Sequence, residues 1–272
     1  MTIYPLLLHL GRFTITGYGL MMMVGFLVAG WIYARELKRR SLDPSIAWDT
    51  VVLAVAGGLA GSKIYFAISV GRIGAVFSRG GLVWYGGLAG GTLAVLAYMW
   101  LRKLPVRTLL DTISPSLVVG YLLGRVGCFM VNDDYGLPSR LPWAVAFPQG
   151  SPPSTAGVLS QQFHATIPAG AKLGDVLTVH PTQLYEIALS FAVFWLLWRW
   201  RDHRHAAGWL FGACLVLTAA ERIVVEIFRA KDDRIFGFVT VAQILSAGLI
   251  VAGAVVMRLF RAPAAPEPAP PN

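Results

Sequence analysis

Residues 48–69 read WDTVVLAVAGGLAGSKIYFAIS, a run in which Asp49 and Lys63 are the charged residues. A helix of about 20 predominantly apolar residues is long enough to cross the hydrocarbon layer of a bilayer. A soluble core hides many apolar residues, but it does not need uninterrupted runs of that length. This stretch therefore predicts a transmembrane helix that carries Lys63 in its last third.

The rest of the 272-residue chain repeats this pattern. It is 56% hydrophobic and 14% charged, whereas soluble domains carry about 25% charged residues. The predicted spans are 16–34, 48–69, 82–101, 109–129, 182–200, 207–228 and 238–259. We expect an all-α integral membrane protein, with seven transmembrane helices in a single membrane domain over residues 1–261.

The net charge of +9 has a topological explanation. The basic residues sit mainly in short clusters between spans, which argues against nucleic-acid binding and favours the positive-inside rule. The span ends that are richer in Lys and Arg lie at residues 35–40, 102–107, 199–204 and 258–261. This distribution predicts an external N-terminus and a cytoplasmic C-terminus. Arg229, Lys231 and Arg234 fall on the opposite side, and a functional site there would explain them.

Three connecting or terminal segments have distinctive compositions. Residues 130–181, between spans four and five, are rich in Pro, Gly and Ser and are too long for a plain loop, so they predict a small extracytoplasmic head. Residues 70–82, with Arg72, Phe77 and Arg79, form either an amphipathic arm at the interface or an ordinary solvated loop. The Pro- and Ala-rich residues 262–272 predict a disordered cytoplasmic tail.

Polar side chains inside the spans gather at one depth. Ionisable groups within a membrane are costly and usually functional. The polar residues at the predicted outer ends of six spans are Tyr18, Lys63, Tyr85, Arg125, His180, Gln183, Glu186, Arg222, Glu226 and Arg229. A transporter or channel would instead place polar sites near the midplane, and the inner halves of these spans are almost purely apolar. We expect one site near the outer leaflet.

Arg222, Glu226 and Arg229 share one helical face because they are spaced i, i+4 and i+7. They form either a ladder that ties helices together or an anion site in which Glu226 orients the arginines. Arginine suits phosphate because its planar fork binds two oxygens. Arg125 and Lys63 would add positive field, so the predicted ligand is a phospholipid phosphate.

Other residues have both structural and functional interpretations. Asp133 and Asp134 are either solvated loop carboxylates or site residues, and His180 is either a packed polar group or a site residue. The glycines at 57–61 and 86–91 predict close helix packing. Cys128 and Cys214 lie on different spans, which argues against a disulfide. The sequence contains no metal or nucleotide motif, and we expect no cofactor.

Five motifs in this order resemble the bacterial prolipoprotein diacylglyceryl transferases. Along the chain they are YG at 18–19, YGGLAGG at 85–91, GRVGCFMVNDDYGLPSRLPWAVAFP at 124–148, HPTQLYE at 180–186 and RIVVEIFR at 222–229. The resemblance implies a seven-helix bacterial inner-membrane enzyme with an outward-facing head. It also implies transfer of the diacylglyceryl group of phosphatidylglycerol to the lipobox cysteine of a preprolipoprotein, with release of glycerol-1-phosphate.

The resemblance also suggests residue roles. The residues that match family motifs are Arg125 in the GR-G-F signature, Gly136 downstream of it, Asp133 where many members have glutamate, the pair Arg222 and Glu226, and Tyr18 of the first helix. Two departures stand out: Cys128 where many members have asparagine, and Tyr85-Gly86-Gly87 where many have histidine-glycine-glycine. That histidine is a favoured general base, so a histidine-base mechanism is in doubt here.

These observations lead to a site hypothesis. The predicted catalytic residues are Arg125, Arg222, Glu226, Tyr85 and Asp133, and the predicted substrate-binding residues are Tyr18, Lys63, Gly86, Gly87, Cys128, Gly136, His180, Gln183, Glu186 and Arg229. Arg125 and Arg222 would hold the lipid phosphate, with Tyr85, Asp133 or His180 as the proton acceptor. The alternative is a catalytically altered paralogue that acts as a phospholipid-binding or lipoprotein-assembly protein of the membrane.

Overall fold

The computed structural model describes residues 1–10, 13–78, 83–231, 234–235 and 239–262. In this part of the chain the helices are α1 (Gly17–Arg39), α2 (Ser45–Val70), α3 (Trp84–Leu101), α4 (Val106–Met130), α5 (Ala156–Gln161), α6 (Thr182–Trp200), α7 (Trp209–Glu226) and α8 (Val241–Leu259). Three antiparallel strand pairs join β1 (Leu7–Leu10) to β2 (Phe13–Thr16), β3 (Val145–Ala146) to β4 (Thr178–Val179), and β5 (Arg234–Ile235) to β6 (Val239–Thr240).

The long helices coincide with the predicted spans. Four of them, α1, α2, α4 and α8, are long and apolar enough to cross a bilayer. At most 33% of the apolar window of any of these helices is buried, so most of that apolar surface faces outward, where lipid would cover it. The chain is a helical membrane protein. The helices α3, α6 and α7 match the other three predicted spans, and their crossing of the bilayer stays a prediction.

The chain divides into two compact units, residues 29–113 and residues 1–28 together with 114–272. In the first unit, α2 and α3 pack through facing glycines. A Cβ on Gly57 would lie 2.6 Å from Cβ of Ala94, and one on Gly86 would lie 2.5 Å from the carbonyl oxygen of Gly61. Only glycine allows this approach, which is the small-residue packing expected of membrane helices. A buried cluster that includes Tyr33 and Met99 forms the rest of this unit's core.

In the second unit, apolar side chains of α4, α6 and α7 form one core. Its buried members are Val118, Val193, Leu197, Leu210, Ala213 and Cys214. α7 also meets α8 closely, since a Cβ on Gly253 would lie 2.6 Å from the carbonyl oxygen of Gly212. These contacts hold α6 and α7 side by side, and both helices carry residues of the predicted site. Cys128 and Cys214 are free and buried.

The segment between α4 and α6 folds around its own small core. Tyr135, Phe147, Leu159 and Val179 are buried together, and the rings of Tyr135 and Phe147 stack with centroids 5.5 Å apart. This part of the chain corresponds to the predicted head, whose location outside the membrane stays a prediction.

The segment after α2 forms a 3₁₀ helix, Ile73–Phe77. Ile73 and Phe77 are 89% and 91% exposed, as an interfacial arm or a solvated loop would both allow. Arg79 and the rest of 79–82, like residues 263–272 of the predicted tail, lie outside the described residues.

Candidate active site

Arg125, five residues before the end of α4, is the first member of a buried charge cluster. Its Nη1 lies 2.9 Å from Oδ2 of Asp134, and its Nε lies 3.3 Å from Oε2 of Glu186. The guanidinium carbon also sits 4.9 Å from the centre of the Tyr121 ring one turn earlier. The Arg125 side chain is 14% exposed, so its partners do not enclose it completely.

Arg222 and Glu226 of α7 form the i, i+4 pair that their spacing predicts. Nη2 of Arg222 lies 3.0 Å from Oε2 of Glu226, and Nη1 lies 2.9 Å from Oε1 of Glu186 on α6. Glu226 also lies 4.0 Å from Nε of Arg229. Both interpretations of the triad therefore have a geometric basis, because the ladder links α7 to α6 while the Arg222 side chain stays 21% exposed.

Glu186 is the centre of the cluster. It is fully buried, and its carboxylate contacts Arg125, Arg222 and Arg229, the last at 3.6 Å from Nη1. The hydroxyl of Tyr121 donates a hydrogen bond of 2.9 Å to its Oε1. A buried carboxylate needs such partners because desolvation of an isolated charge is costly. Glu186 thus fixes the two partly open arginines relative to each other.

Asp134 completes the cluster from the turn after α4. Its carboxylate pairs with Arg125 and with Arg229, and Arg229 is 2% exposed. Asp134 has a φ of +64°, in the left-handed region that aspartate tolerates better than most residues. Burial alone would raise the pKa of Asp134, but Arg229, Arg125 and Lys231 outweigh it and lower the pKa to about 2. Asp134 is therefore ionised at neutral pH and is not the solvated carboxylate of the simpler interpretation.

The turn that carries Asp134 is held by α6 and by the segment after α7. Gln183 donates through Nε2 to the carbonyl of Asp133 at 2.6 Å, and Thr182 donates to the carbonyl of Asp134 at 2.7 Å. Gln183 is fully buried, so its amide supports the backbone of the turn. Burial, followed by the charge of Asp134, raises the pKa of Asp133.

Gly136 lies where three backbone segments meet. Its N–H donates to the carbonyl of His180 at 2.8 Å, and it pairs with Arg229 as an antiparallel bridge. A Cβ here would lie 2.8 Å from Cβ of His180 and 2.8 Å from Cγ2 of Thr182. Glycine at this position therefore brings the turn and Arg229 together.

His180 belongs to an aromatic group beside the cluster. Its Nδ1 lies 3.1 Å from the hydroxyl of Tyr185, which accepts a 2.8 Å hydrogen bond from Nε1 of Trp143. The Phe228 ring packs 5.2 Å from the imidazole. Burial lowers the pKa of His180, so the imidazole is neutral at neutral pH. These contacts are those expected of a packed polar group.

Tyr18 and Cys128 flank the cluster. Cys128 Sγ lies 3.9 Å from Nη1 of Arg125. A Cβ on Gly127 would lie 3.1 Å from Cα of Tyr18, so this glycine lets α1 approach α4 at the level of the site. Tyr18 is 40% exposed.

The other predicted site residues belong to the unit 29–113. Nζ of Lys63 donates to the carbonyl of Ser78 at 2.6 Å. Tyr85 is 47% exposed and packs edge-to-face on Trp84. Gly86 and Gly87 have a packing role at the contact between α2 and α3, where a Cβ on Gly87 would lie 2.7 Å from Oγ of Ser62.

The structure adds two carboxylate contacts that sequence reasoning did not assign. Asp134 is one, and its position a few residues after a span that carries Arg125 near its end is the available signal. Glu221 is the other, and its Oε1 accepts a 2.6 Å hydrogen bond from Ser190 of α6. No group of three His, Cys, Asp or Glu side chains suited to a metal ion occurs among the described residues.

The structure is that of a helical membrane protein in which paired arginines are tied by carboxylates at one level of the bundle, and guanidinium groups are suited to binding an anion. The sequence comparisons make the assignment specific. The prolipoprotein diacylglyceryl transferase family model matches residues 5–259, and the chain belongs to this family.

Three relatives carry the name phosphatidylglycerol–prolipoprotein diacylglyceryl transferase. The Rhodospirillum rubrum protein is 31% identical over 278 residues, covering 94% of this chain and 92% of its own. The Pseudoalteromonas translucida protein is 27% identical, with 92% and 90% covered. The Burkholderia mallei protein is 31% identical, with 93% of each covered. The resemblance stated from the motifs is thereby confirmed over nearly the whole chain.

Proposed function

We propose that this chain transfers the diacylglyceryl group of phosphatidylglycerol to the lipobox cysteine thiol of a preprolipoprotein and releases glycerol-1-phosphate. Family membership and the names of its relatives support the reaction. The observation that carries the residue assignment is the pair Arg125 and Arg222, which share Glu186 and each keep part of the side chain exposed. This geometry suits a phosphate that accepts hydrogen bonds from both arginines.

The arginines would act mainly on the leaving group. As the cysteine sulfur attacks the glycerol carbon of the diacylglyceryl group, the carbon–oxygen bond to phosphate breaks. The phosphate passes from a diester monoanion towards a monoester dianion. Cations placed on it bind the transition state more strongly than the ground state, which is the condition for catalysis.

The cluster is formally neutral, so a further anion has to take over contacts that the carboxylates make. The cluster combines the cations Arg125, Arg222 and Arg229 with the carboxylates of Asp134, Glu186 and Glu226. Arg229 is sealed between its partners, so it would position Asp134 and not touch lipid. The two open arginines would each exchange part of a carboxylate contact for the phosphate, and Glu226 would keep Arg222 aligned.

The thiol proton needs an acceptor, and three groups are candidates. A free thiol is already a few per cent thiolate at neutral pH, so a weak base is sufficient. Asp133 is favoured by its place next to Asp134, whereas Nδ1 of His180 already faces Tyr185. Tyr85 is the third candidate, and it is proposed from the sequence alone.

The proposed topology has seven crossings of the bacterial inner membrane. The positive-inside rule supports an external N-terminus, a cytoplasmic C-terminus and a site that faces the outer leaflet. The segment between α4 and α6, which carries its own core, would be the extracytoplasmic head. Phosphatidylglycerol would enter from the bilayer, and the lipobox segment would reach the same level.

The second candidate is a lipid-binding or lipoprotein-assembly protein without transferase chemistry. Cys128 and Tyr85, which depart from the family pattern, favour it. The deciding experiment incubates purified protein with phosphatidylglycerol and a lipobox peptide, and measures the peptide mass and the released glycerol-1-phosphate. A thioether-linked diacylglyceryl adduct supports the enzyme. Bound lipid without any adduct supports the alternative.

A further inference from the structure

A cavity of about 340 Å³ opens beside the charge cluster, between the head and the segment after α7. Its lining among the described residues includes Asp133, Asp134, Tyr135, Gln162, Phe163 and Lys231. The volume is at the lower end of the range for small-molecule sites. It fits a headgroup-sized ligand better than a folded polypeptide segment.

The cavity is joined to the proposed phosphate site by one shared side chain. The Asp134 carboxylate lines the cavity, and the same carboxylate pairs with Arg125 at 2.9 Å and with Arg229. A phosphate held by Arg125 would therefore have the cavity as its neighbour. Whatever is esterified to that phosphate on the leaving-group side is placed to enter the cavity.

The lining suits hydroxyl groups. Asp133 and Asp134 present acceptors, whereas the Lys231 ammonium and the Gln162 amide present donors, and a hydroxyl both donates and accepts. Lys231 forms neither a hydrogen bond nor an ion pair with any described residue, although it is half-buried. Gln162 is exposed at the end of the short helix α5. A polyol would satisfy these groups without adding charge.

The local charge disfavours a cationic headgroup. Three cations, Arg125, Arg229 and Lys231, face the two carboxylates of Asp133 and Asp134 in and next to the cavity. Asp134 is already paired with two of these cations. An ammonium group in the cavity would stand close to Lys231, and like charges at short range repel strongly in a partly desolvated site.

We propose that this cavity binds the polyol of the donor headgroup, the glycerol that leaves with the phosphate, and that Lys231 and Gln162 set the preference for it over an aminoalcohol. This inference rests on the proposed function, since it assigns a subsite for the donor of that reaction. It makes Lys231 a specificity-determining residue that donates to hydroxyls and excludes ammonium.

The first test measures donor choice with the full-length protein in mixed micelles. Phosphatidylglycerol and phosphatidylethanolamine are compared for the wild type, Lys231→Met and Gln162→Ala, with the exposed head residue Lys172 changed to Met as the matched control. We expect Lys231→Met to raise KM for phosphatidylglycerol about tenfold and to leave kcat within about twofold. The ratio of kcat/KM for phosphatidylglycerol to kcat/KM for phosphatidylethanolamine should fall about tenfold. Gln162→Ala should raise the same KM by a smaller factor, and Lys172→Met should behave as the wild type.

The second test does not depend on turnover. Glycerol-1-phosphate, ethanolamine phosphate and inorganic phosphate are compared as ligands by their effect on the thermal transition of the protein. The wild type should prefer glycerol-1-phosphate, and Lys231→Met should lose that preference while still responding to inorganic phosphate. Gln162→Ala, at an exposed position, serves as the second variant if Lys231→Met fails to fold.

The outcomes separate this inference from the proposed function. The inference is overturned if Lys231→Met and Gln162→Ala keep the donor choice and the ligand preference of the wild type, even if the wild type is fully active. A rise confined to KM for the peptide would also overturn it, because the cavity would then belong to the acceptor. If the wild type transfers nothing but prefers glycerol-1-phosphate through Lys231, the proposed function fails and the polyol subsite stands.

Discussion

Arg222 of α7 donates from Nη1 to Oε1 of Glu186 on α6 across 2.9 Å. The contact joins two helices through a carboxylate that is fully buried, and the same carboxylate reaches Arg125 of α4. One side chain on α6 therefore determines the spacing of the two open arginines. Three expectations concern this cluster and the turn beside it, and a fourth concerns the packing of α2 on α3.

Glu186→Gln should lower turnover by about a hundredfold and destabilise the protein by about 3 kcal/mol. The change leaves three guanidinium groups with two carboxylates, and it replaces one of the two Glu186 oxygens that Arg125 and Arg222 contact with an NH2 donor. Turnover with phosphatidylglycerol and thermal unfolding in detergent measure the two effects. Ser190→Ala, one turn further along α6, is the control for a lost buried contact outside the cluster and should keep most of the turnover. Normal turnover of Glu186→Gln would refute a positioning role.

Asp134 and Asp133 should have opposite effects on stability as the pH changes. The folded-state pKa of Asp134 is lowered to about 2, so its ionised form contributes roughly 2 kcal/mol above the ordinary pKa. That contribution is lost as the pH falls from about 4 to about 2. Asp134→Asn should therefore destabilise the protein at neutral pH, and the difference from the wild type should shrink in acid.

For Asp133 the sign reverses, because burial raises its pKa. Its ionised form costs stability at neutral pH, and this cost disappears below the ordinary pKa. Asp133→Asn should thus raise the thermal midpoint at neutral pH, with a gain that vanishes in acid. Parallel melting curves of both variants between pH 3 and pH 8 test the pair. Equal behaviour of the two asparagine variants would show that the environments are assigned wrongly.

Gly136→Ala should cost a few kcal/mol and most of the turnover. The added Cβ would lie 2.8 Å from both His180 and Thr182, and relief of that clash moves the turn that carries Asp134. Gly174→Ala is the matched control in the same segment, because a Cβ there would meet nothing within 4 Å. Turnover and melting temperature are compared for the two alanine variants. Similar small effects would contradict the crowding inferred at Gly136.

Gly61→Ala should destabilise the contact between α2 and α3, whereas Gly58→Ala should be tolerated. A Cβ on Gly61 would lie 2.8 Å from Cα of Gly90, but one on Gly58 would lie 3.5 Å from the nearest atom, the carbonyl oxygen of Gly87. The helices must separate in the first case alone. Thermal unfolding of the two variants, which share a helix and a substitution, measures the difference. A larger loss for Gly58→Ala would contradict the packing.

The helices could be predicted closely because long apolar runs leave few alternatives. The predicted span 182–200 has the same limits as α6, and span 48–69 lies within α2. The meeting of Arg222, Glu226 and Arg229 with Arg125 also followed from depth and helical spacing. A long apolar segment that crosses a bilayer has to be helical. The free-energy cost of an isolated charge in the bilayer also favours the placement of buried charged side chains next to one another.

The role of Asp134 could not be read from the sequence. Two adjacent aspartates after a span look alike, and only the left-handed backbone at Asp134 turns one of them into the cluster. The sequence predicts Gln183 and His180 as substrate-binding residues. In the structure Gln183 donates to the carbonyl of Asp133, and His180 shares a hydrogen bond with Tyr185. Sequence spacing gives the face and depth of a side chain, whereas the partner it selects depends on backbone turns that long-range packing sets.

The central claim is that Arg125 and Arg222 stabilise the departing phosphate. The most direct measurement is turnover of Arg125→Ala and Arg222→Ala with phosphatidylglycerol and a lipobox peptide, beside the exposed head control Arg140→Ala and after each variant is shown to be folded. We predict a loss of about a hundredfold or more in kcat for both cluster variants and wild-type turnover for the control. Folded Arg125→Ala or Arg222→Ala protein with near-normal kcat would contradict the claim.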